Sequence, residues 1–454
     1  MTASATTARP LPALSQSARL RYATFAALYF AQGIPQGVLA FAVPAWLAMN
    51  GKTPAQISAY SAVMLLPWSL KLVAAPLIER YAYLPMGRRR PWLLAGQGGL
   101  LLGFGALSLV PDPLHHLPWL TAVAFGVSLL TVVQDIATDS LAIDVVPPAQ
   151  QGQANSLMWG AKTVGIAATL AATSWLLHHV GWRGATLAPA AAIGLIGLLP
   201  LTLRERPGEK RLPWTAGAAT PAAARLQTTS WAALLRASRR ALLLPNSRWL
   251  LVGVFAAQLG QNYFDASLPI FTVQQLGWTD ERYAQIYAPA GLVGGLAGML
   301  LGGLLMRRLG VVRVVQGCLL LLGGLAAVLG SGAAWWADAR FITGCIGAFC
   351  VLNTLIFIGS LALAMQCCWA RISAVQFTVY MTVANLGAAT GTALVGVART
   401  HLPWTGAYLA LAGLVLLPIG VLGLVRLAAH RRQVDELENR HLEQQAAAGL
   451  RVAV

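Results

Sequence analysis

The chain has 454 residues, 57% of them hydrophobic and only 10% charged, with a mean hydropathy of +0.63. A soluble domain carries about 25% charged residues, so a string of soluble domains is excluded and most of the chain must meet lipid or buried protein. The net charge of +17 sits in short loops between apolar runs, a pattern that excludes nucleic acid as the expected partner and points to a membrane topology signal.

In chain order, residues 1–20 are small, polar and basic and read as a disordered cytoplasmic lead. Twelve stretches then approach the ~20 apolar residues that a spanning helix needs. They are 21–48, 57–79, 91–110, 118–146, 154–178, 185–203, 248–274, 283–305, 311–330, 340–366, 373–398 and 404–428. The first is too long for the apolar core of a signal peptide and is expected to stay as a helix. Between the sixth and seventh lies a polar stretch, 204–247, in which 229–244 has the pattern of an amphipathic helix on the inner membrane surface. The tail, 429–454, is polar and carries no assigned role. The expected class is an all-α membrane protein of 12 transmembrane helices in two six-helix halves, 21–203 and 248–428.

The basic residues orient it. With both termini inside, the inner segments carry three, four, nine, three, one and five Lys or Arg residues, 25 in all, against five outside. That bias predicts cytoplasmic termini. The cysteines, Cys318, Cys345, Cys350, Cys367 and Cys368, lie in or beside apolar runs without metal-ligand spacing and read as small buried hydrophobes. His115, His116, His178 and His179 fall at helix ends and read as exposed loop residues, so no metal site is expected. No phosphate-binding Gly-x-x-x-x-Gly-Lys-Ser/Thr and no nucleophile context are present, so neither an ATP-driven pump nor an enzyme is expected, and no cofactor.

The fourth helix carries Gln134-Asp135-Ile136-Ala137-Thr138-Asp139. A carboxylate deep in a bilayer costs roughly 2.5–3.5 kcal/mol on insertion scales. Asp135 and Asp139 share one helix face, four residues apart. Counting 1.5 Å per residue places them, Lys71 of the second helix and Lys162 of the fifth between the midplane and the inner leaflet. These four are expected to form a network. It either holds helices together or carries protons and solute along a path. An Asp whose partner swaps between conformations takes up and releases a proton, which is the basis for expecting proton coupling. Asp144 sits on the opposite side of the same helix near its inner end and reads as a partner for loop arginines. In the seventh helix, Gln258, Asn262 and Asp265 form one stripe with Gln261 beside it. The stripe contacts solute or bonds neighbouring helices. Gln32 and Gln36 form the matching pair in the first helix, beside a kink at Pro35. Asn353, Tyr380 and Asn385 are weaker candidates.

The halves echo one another. Phe30-Ala31-Gln32-Gly33-Ile34-Pro35-Gln36 has a counterpart in Phe255-Ala256-Ala257-Gln258-Leu259-Gly260-Gln261. Glycine-and-arginine turns follow the second and eighth helices, at Gly87-Arg88-Arg89-Arg90 and at Arg307-Arg308-Leu309-Gly310. The segments Leu28-Tyr29-Phe30-Ala31-Gln32-Gly33-Ile34-Pro35, Leu66-Pro67-Trp68-Ser69-Leu70-Lys71, Ala75-Pro76-Leu77, Leu84-Pro85-Met86-Gly87-Arg88-Arg89-Arg90, Gln134-Asp135-Ile136-Ala137-Thr138-Asp139 and, in the second half, Ala374-Val375-Gln376-Phe377-Thr378 resemble the major facilitator superfamily. They are similar to the branch that holds anhydromuropeptide permeases, certain siderophore importers and the acetyl-CoA transporter. The resemblance departs at Ala161-Lys162-Thr163-Val164-Gly165, where members often have Tyr-Arg-x-Gly. It departs again at Gln36, where they often have Tyr, and in lacking the extra spans of many muropeptide permeases.

The resemblance implies two rocking halves with solute bound near the midplane. It implies a proton-coupled importer of the bacterial inner membrane, acting as a monomer on a small molecule such as an anhydromuropeptide or, alternatively, a siderophore. A membrane sensor that does not transport is the rival class. Asp135 and Asp139 are the expected proton-coupling residues. Gln32, Gln36, Lys71, Gln134, Lys162, Gln258, Gln261, Asn262 and Asp265 are the expected solute contacts. Glu79, Arg80, Arg88 and Arg89 are implied to latch the inner face shut.

Overall fold

The computed structural model describes residues 13–52, 54–227, 230–278 and 280–447. Among these, every regular element is helical, as expected where backbone groups must be satisfied within each segment. The first rod is α1 (Ala18–Pro35), a π-helical stretch Gln36–Ala42, and α2 (Val43–Met49). The second is α3 (Pro54–Ser69) and α4 (Lys71–Arg80), broken at Leu70. Then come α5 (Arg90–Ser108), α6 (Leu117–Val145), α7 (Pro148–His179) and α8 (Trp182–Thr202). The central stretch holds α9 (Pro221–Leu226) and α10 (Trp231–Leu242). The second set is α11 (Pro245–Ile270), α12 (Asp280–Ala297), α13 (Gly303–Leu309), α14 (Val311–Ser331), α15 (Ala339–Gln366), α16 (Ser373–His401), α17 (Trp404–Leu414), α18 (Leu416–Gly423) and the tail helix α19 (Leu427–Ala447).

All twelve stretches expected to span are helical. By length and composition, nine of the described helices are able to cross a membrane. A tenth is added if α10 and the rod 245–275, bent by 74°, count as one. The shortfall has a physical cause. Helix α5 carries Gln97 among five glycines, α7 carries Gln150, Gln151, Gln153, Asn155 and Lys162, and α11 carries its own polar stripe. These glycines and polar residues dilute the apolar composition of the three rods.

The packing repeats. Helix α1 lies along α7 and α11 along α16; α5 lies between α6 and α8, and α14 between α15 and α17; α3 packs on α6 and α12 on α15. Glycine makes the first of these contacts possible in both sets. A Cβ on Gly33 or Gly165 would collide with the backbone of Lys162 or Phe30, and one on Gly387 or Gly391 with that of Phe255 or Leu259. Small residues permit such close backbone approach where no solvent drives helices together. The first helix of each set also loosens into a π-helical turn just past a proline, Pro35 in one and Pro269 in the other. The lost proline N–H explains the loosening. The two sets meet where α7 touches α13 and α15, and where α16 touches α4 and α6.

The lead is more ordered than expected. Residues 1–12 lie outside the described residues. Residues 13–20 are fixed, with Leu14 buried, Leu14 N–H on the Arg204 carbonyl at 2.9 Å and Ser15 N–H on that of Glu205 at 3.0 Å. Arg21 completes the clasp with bonds to the Leu14 and Ser15 carbonyls and to Gln150. Helix α10 forms within the expected stretch, though Thr229 lies outside the described residues. It spends Leu234, Ala237 and Ala241 on Trp369 and Ile372, a protein surface, and leaves Trp231 and Leu235 exposed.

Candidate functional site

Helix α6 supplies the centre. Asp135 accepts from Lys71 Nζ and from Gln32 Nε2, tying α6 to α4 and α1. The break at Leu70 sets Lys71 at the first turn of α4 and turns it inward. Asp139, one turn on, accepts from the Tyr29 hydroxyl instead of from a lysine. Lys162 is buried, yet among the described residues it has no carboxylate within salt-bridge distance and no hydrogen bond. Its ammonium lies 5.5 Å from the Trp68 ring centroid and 5.4 Å from that of Trp159. The four expected partners are thus close but unequally joined: one ion pair, one Asp–Tyr bond and one ammonium held by aromatic faces.

Above this layer, away from the arginine-rich end, a cavity of about 420 Å³ opens among α1, its π turn, α3, α6 and α7. Gln36, Ser61, Ser128, Thr131 and Lys162 give it polar points, and Trp68 and Trp159 give it flat apolar walls. Trp159 packs on Phe357 of α15 with ring centroids 4.3 Å apart and planes tilted by 42°, so one wall bears on the other half.

Other expected contacts are placed elsewhere. Gln32 bonds Asp135 below the cavity. Gln134 is fully buried with its amide on the Leu28 carbonyl at 3.2 Å, an interhelical contact outside the cavity. In α11, Gln258 bonds Gln261 at 2.8 Å, Gln261 bonds Asn353 at 2.8 Å, and Asn262 bonds the Gln258 carbonyl at 2.9 Å. Asp265 accepts from the Tyr287 hydroxyl of α12. Tyr380 bonds Ser247 and Gln376.

The missed residues share one signal. Tyr29, Trp68 and Trp159 each stand three positions before a singled-out polar residue, Gln32, Lys71 and Lys162. A spacing of three puts each aromatic beside its polar partner on the helix. A search for charges alone passes over them.

At the arginine-rich end the halves are locked. Glu79, Arg88 and Arg89 are fully buried. Glu79 accepts from both guanidiniums and from the Ala374 N–H at 2.8 Å. Asp144 accepts from Arg88 at 3.1 Å, from Arg89 at 3.2 Å and from the Ser373 hydroxyl at 3.0 Å. Arg88 also reaches the carbonyls of Ala370 and Arg371 at 2.9 and 3.1 Å, and Arg89 the Ser373 hydroxyl at 3.0 Å. Asp144 is thus the arginine partner that its helix position suggested. Arg80 stays out of the lock: it forms no ion pair among the described residues and stacks on Tyr81. Glu205 was invisible to local reading. It accepts from the N–H groups of Arg88, Arg89 and Arg90 at 3.0, 2.7 and 2.6 Å, an anion at the start of α5. Gly87, at φ +101°, would push a Cβ into that carboxylate.

Behind the lock, Glu438 of α19 grips Arg371 at 2.6 Å and the Trp369 indole at 2.8 Å, while His430 lies 2.8 Å from the Cys367 carbonyl. Among the described residues no group of three or more His, Cys, Asp or Glu could hold a metal ion.

A membrane-crossing helical bundle with a repeated packing plan, a charged interior and buried ion pairs hydrogen-bonded across to the other half is the build of a multi-pass transporter. The chain belongs to the Major Facilitator Superfamily, whose model matches residues 25–392. It is 26% identical over 381 residues to the anhydromuropeptide permease of Escherichia coli (strain K12), covering 81% of this chain and 72% of that protein. Its fold matches the human organic anion transporter MFSD10, with a TM-score of 0.63 and 15% identity over 89% of this chain and 99% of the other. It also matches the transporter FucP in the outward conformation, with a TM-score of 0.66 and 11% identity over 89% and 98%.

Proposed function

We propose that this chain is a proton-coupled importer of an anionic amphiphile of the anhydromuropeptide class, working in the bacterial inner membrane with both termini in the cytoplasm. The observation that carries the reading is Lys162, an ammonium in the cavity wall between two tryptophans with no protein carboxylate bound to it. A buried cation normally pairs. Here the missing partner is a carboxylate of the solute, with Trp68 and Trp159 covering its apolar faces. The likeness to a named anhydromuropeptide permease and the basic bias toward one face support the substrate class and the orientation.

In this reading solute enters from the face opposite the lock. Asp135 and Asp139 lie one and two turns below the cavity layer. Protonation of Asp135 releases Lys71, and protonation of Asp139 reverses its bond with Tyr29. Each change neutralises a carboxylate and frees a contact in the layer that must move when the halves rock. Opening of the arginine-rich face then breaks the bonds to 370–374 and releases solute and proton inside.

The test is uptake of labelled anhydromuropeptide into proteoliposomes under an inward proton gradient, with siderophores as the competing class. Accumulation should be lost in Lys162→Gln and kept in part in Lys162→Arg. Uptake equal in both variants, or transport confined to siderophores, would overturn the assignment.

A further inference from the structure

We propose that the groove where α4 hands over to α5 binds an anionic phospholipid, with Arg80 on its headgroup. The groove has a volume of about 550 Å³ and is lined by Arg80, Tyr81, Tyr83, Trp92 and Gln227, with Ala and Pro between them. Arg80 is its one charge, and no carboxylate lines it. Among the described residues Arg80 has no acidic partner, and its Nε is buried without a hydrogen bond. Its guanidinium lies 5.3 Å from the Tyr81 ring centroid. The surrounding backbone is already satisfied, since Gln227 donates to the Arg80 carbonyl at 2.8 Å and the Trp92 indole to that of Tyr81. What remains open is a cation in a cup of aromatics.

The groove runs onto lipid-facing surface. Val73, Leu77 and Tyr81 form an exposed stripe at intervals of four, and Ala95, Gly98 and Leu102 form another on α5. Trp231 of α10 meets Tyr81 edge-on at 6.3 Å and is 43% exposed, extending the rim. An occupant therefore needs an anion for Arg80 and apolar chains for two helix stripes, with Tyr and Trp at the boundary between them. That is a phospholipid at the membrane interface. A zwitterionic headgroup brings an ammonium for which the groove offers no acid, so the net-anionic lipid is selected.

Native mass spectrometry of the purified full chain, stripped of lipid and titrated with phosphatidylglycerol or phosphatidylcholine, tests this. One charge-assisted contact worth about 1.4 kcal/mol gives roughly tenfold preference. We expect that preference for phosphatidylglycerol in the parent, its loss in Arg80→Gln and its retention in Arg80→Lys, each variant being monodisperse on gel filtration. Glycerol 1-phosphate at millimolar concentration should not compete. Equal retention of both lipids, an unchanged preference in Arg80→Gln, or full competition by glycerol 1-phosphate would each overturn the assignment.

Discussion

Replacing Glu79 by Gln isolates the part of the lock that governs which face is open. The Glu79 bonds to Arg88 and Arg89 lie within one half and persist when the halves part. Of the Glu79 carboxylate's bonds, the one to the Ala374 N–H, 2.8 Å, crosses between halves. A hydrogen bond to a charged group contributes about 1.5–3 kcal/mol and a neutral one about 0.5–1.5 kcal/mol, so the substitution costs the locked state on the order of 1–1.5 kcal/mol. That shifts the equilibrium between locked and unlocked forms by roughly fivefold to tenfold. Spin labels at Asn50 and Ser331, both on the face opposite the lock, report it by electron–electron double resonance in a cysteine-free background. Unlocking at the arginine-rich end closes the other face, so the short-distance population should grow. Glu436→Gln, on the exposed side of α19, serves as the control. A distance distribution in Glu79→Gln indistinguishable from the control would refute the reasoning.

Other outcomes follow from the same structure. Burial and the neighbouring Glu205 push Glu209 of the central stretch up to about 7, above the usual 4.5. Its contribution to loop stability is therefore fully present below about pH 4.5 and lost as pH rises through about 7. Hydrogen exchange of 205–220, after correction for the intrinsic pH dependence of exchange, should quicken between about pH 4.5 and 7, and Glu209→Gln should flatten that dependence. Gly391→Ala forces a Cβ onto the Leu259 carbonyl, whereas Gly98→Ala meets open space. Overpacking typically costs about 1–3 kcal/mol, so thermal unfolding in detergent should show a lowered midpoint for the first and none for the second. Glu438→Gln removes the charge that grips Arg371, and amide exchange in α19 should rise without loss of the helices behind it.

The fold was legible because apolar runs of spanning length leave few alternatives, and glycine-arginine turns marked the repeat. The break at Leu70 and the loosening after Pro35 were only partly legible, since proline signals a disturbance without its geometry. The site divided by range. Asp135 with Lys71 and Asp144 with the arginines followed from depth and helix face. Tyr29, Trp68 and Trp159 had a local signal that a search for charge overlooks. Ser373 and Glu205 had none, and Ala374 stood only in a family motif without a role: they contribute a hydroxyl, a cap and a backbone N–H to residues more than 100 positions away. Gln134 shows the converse, a polar residue beside Asp135 whose helix face turns it into packing.

The most direct test of the account is solute-evoked proton movement in proteoliposomes loaded with a pH indicator, for the parent, Asp135→Asn and Asp139→Asn. Coupled import predicts internal acidification on adding anhydromuropeptide to the parent, abolished in at least one variant that still binds the solute. Solute uptake with no proton signal in the parent, or a signal as large as the parent's in both variants, would contradict it.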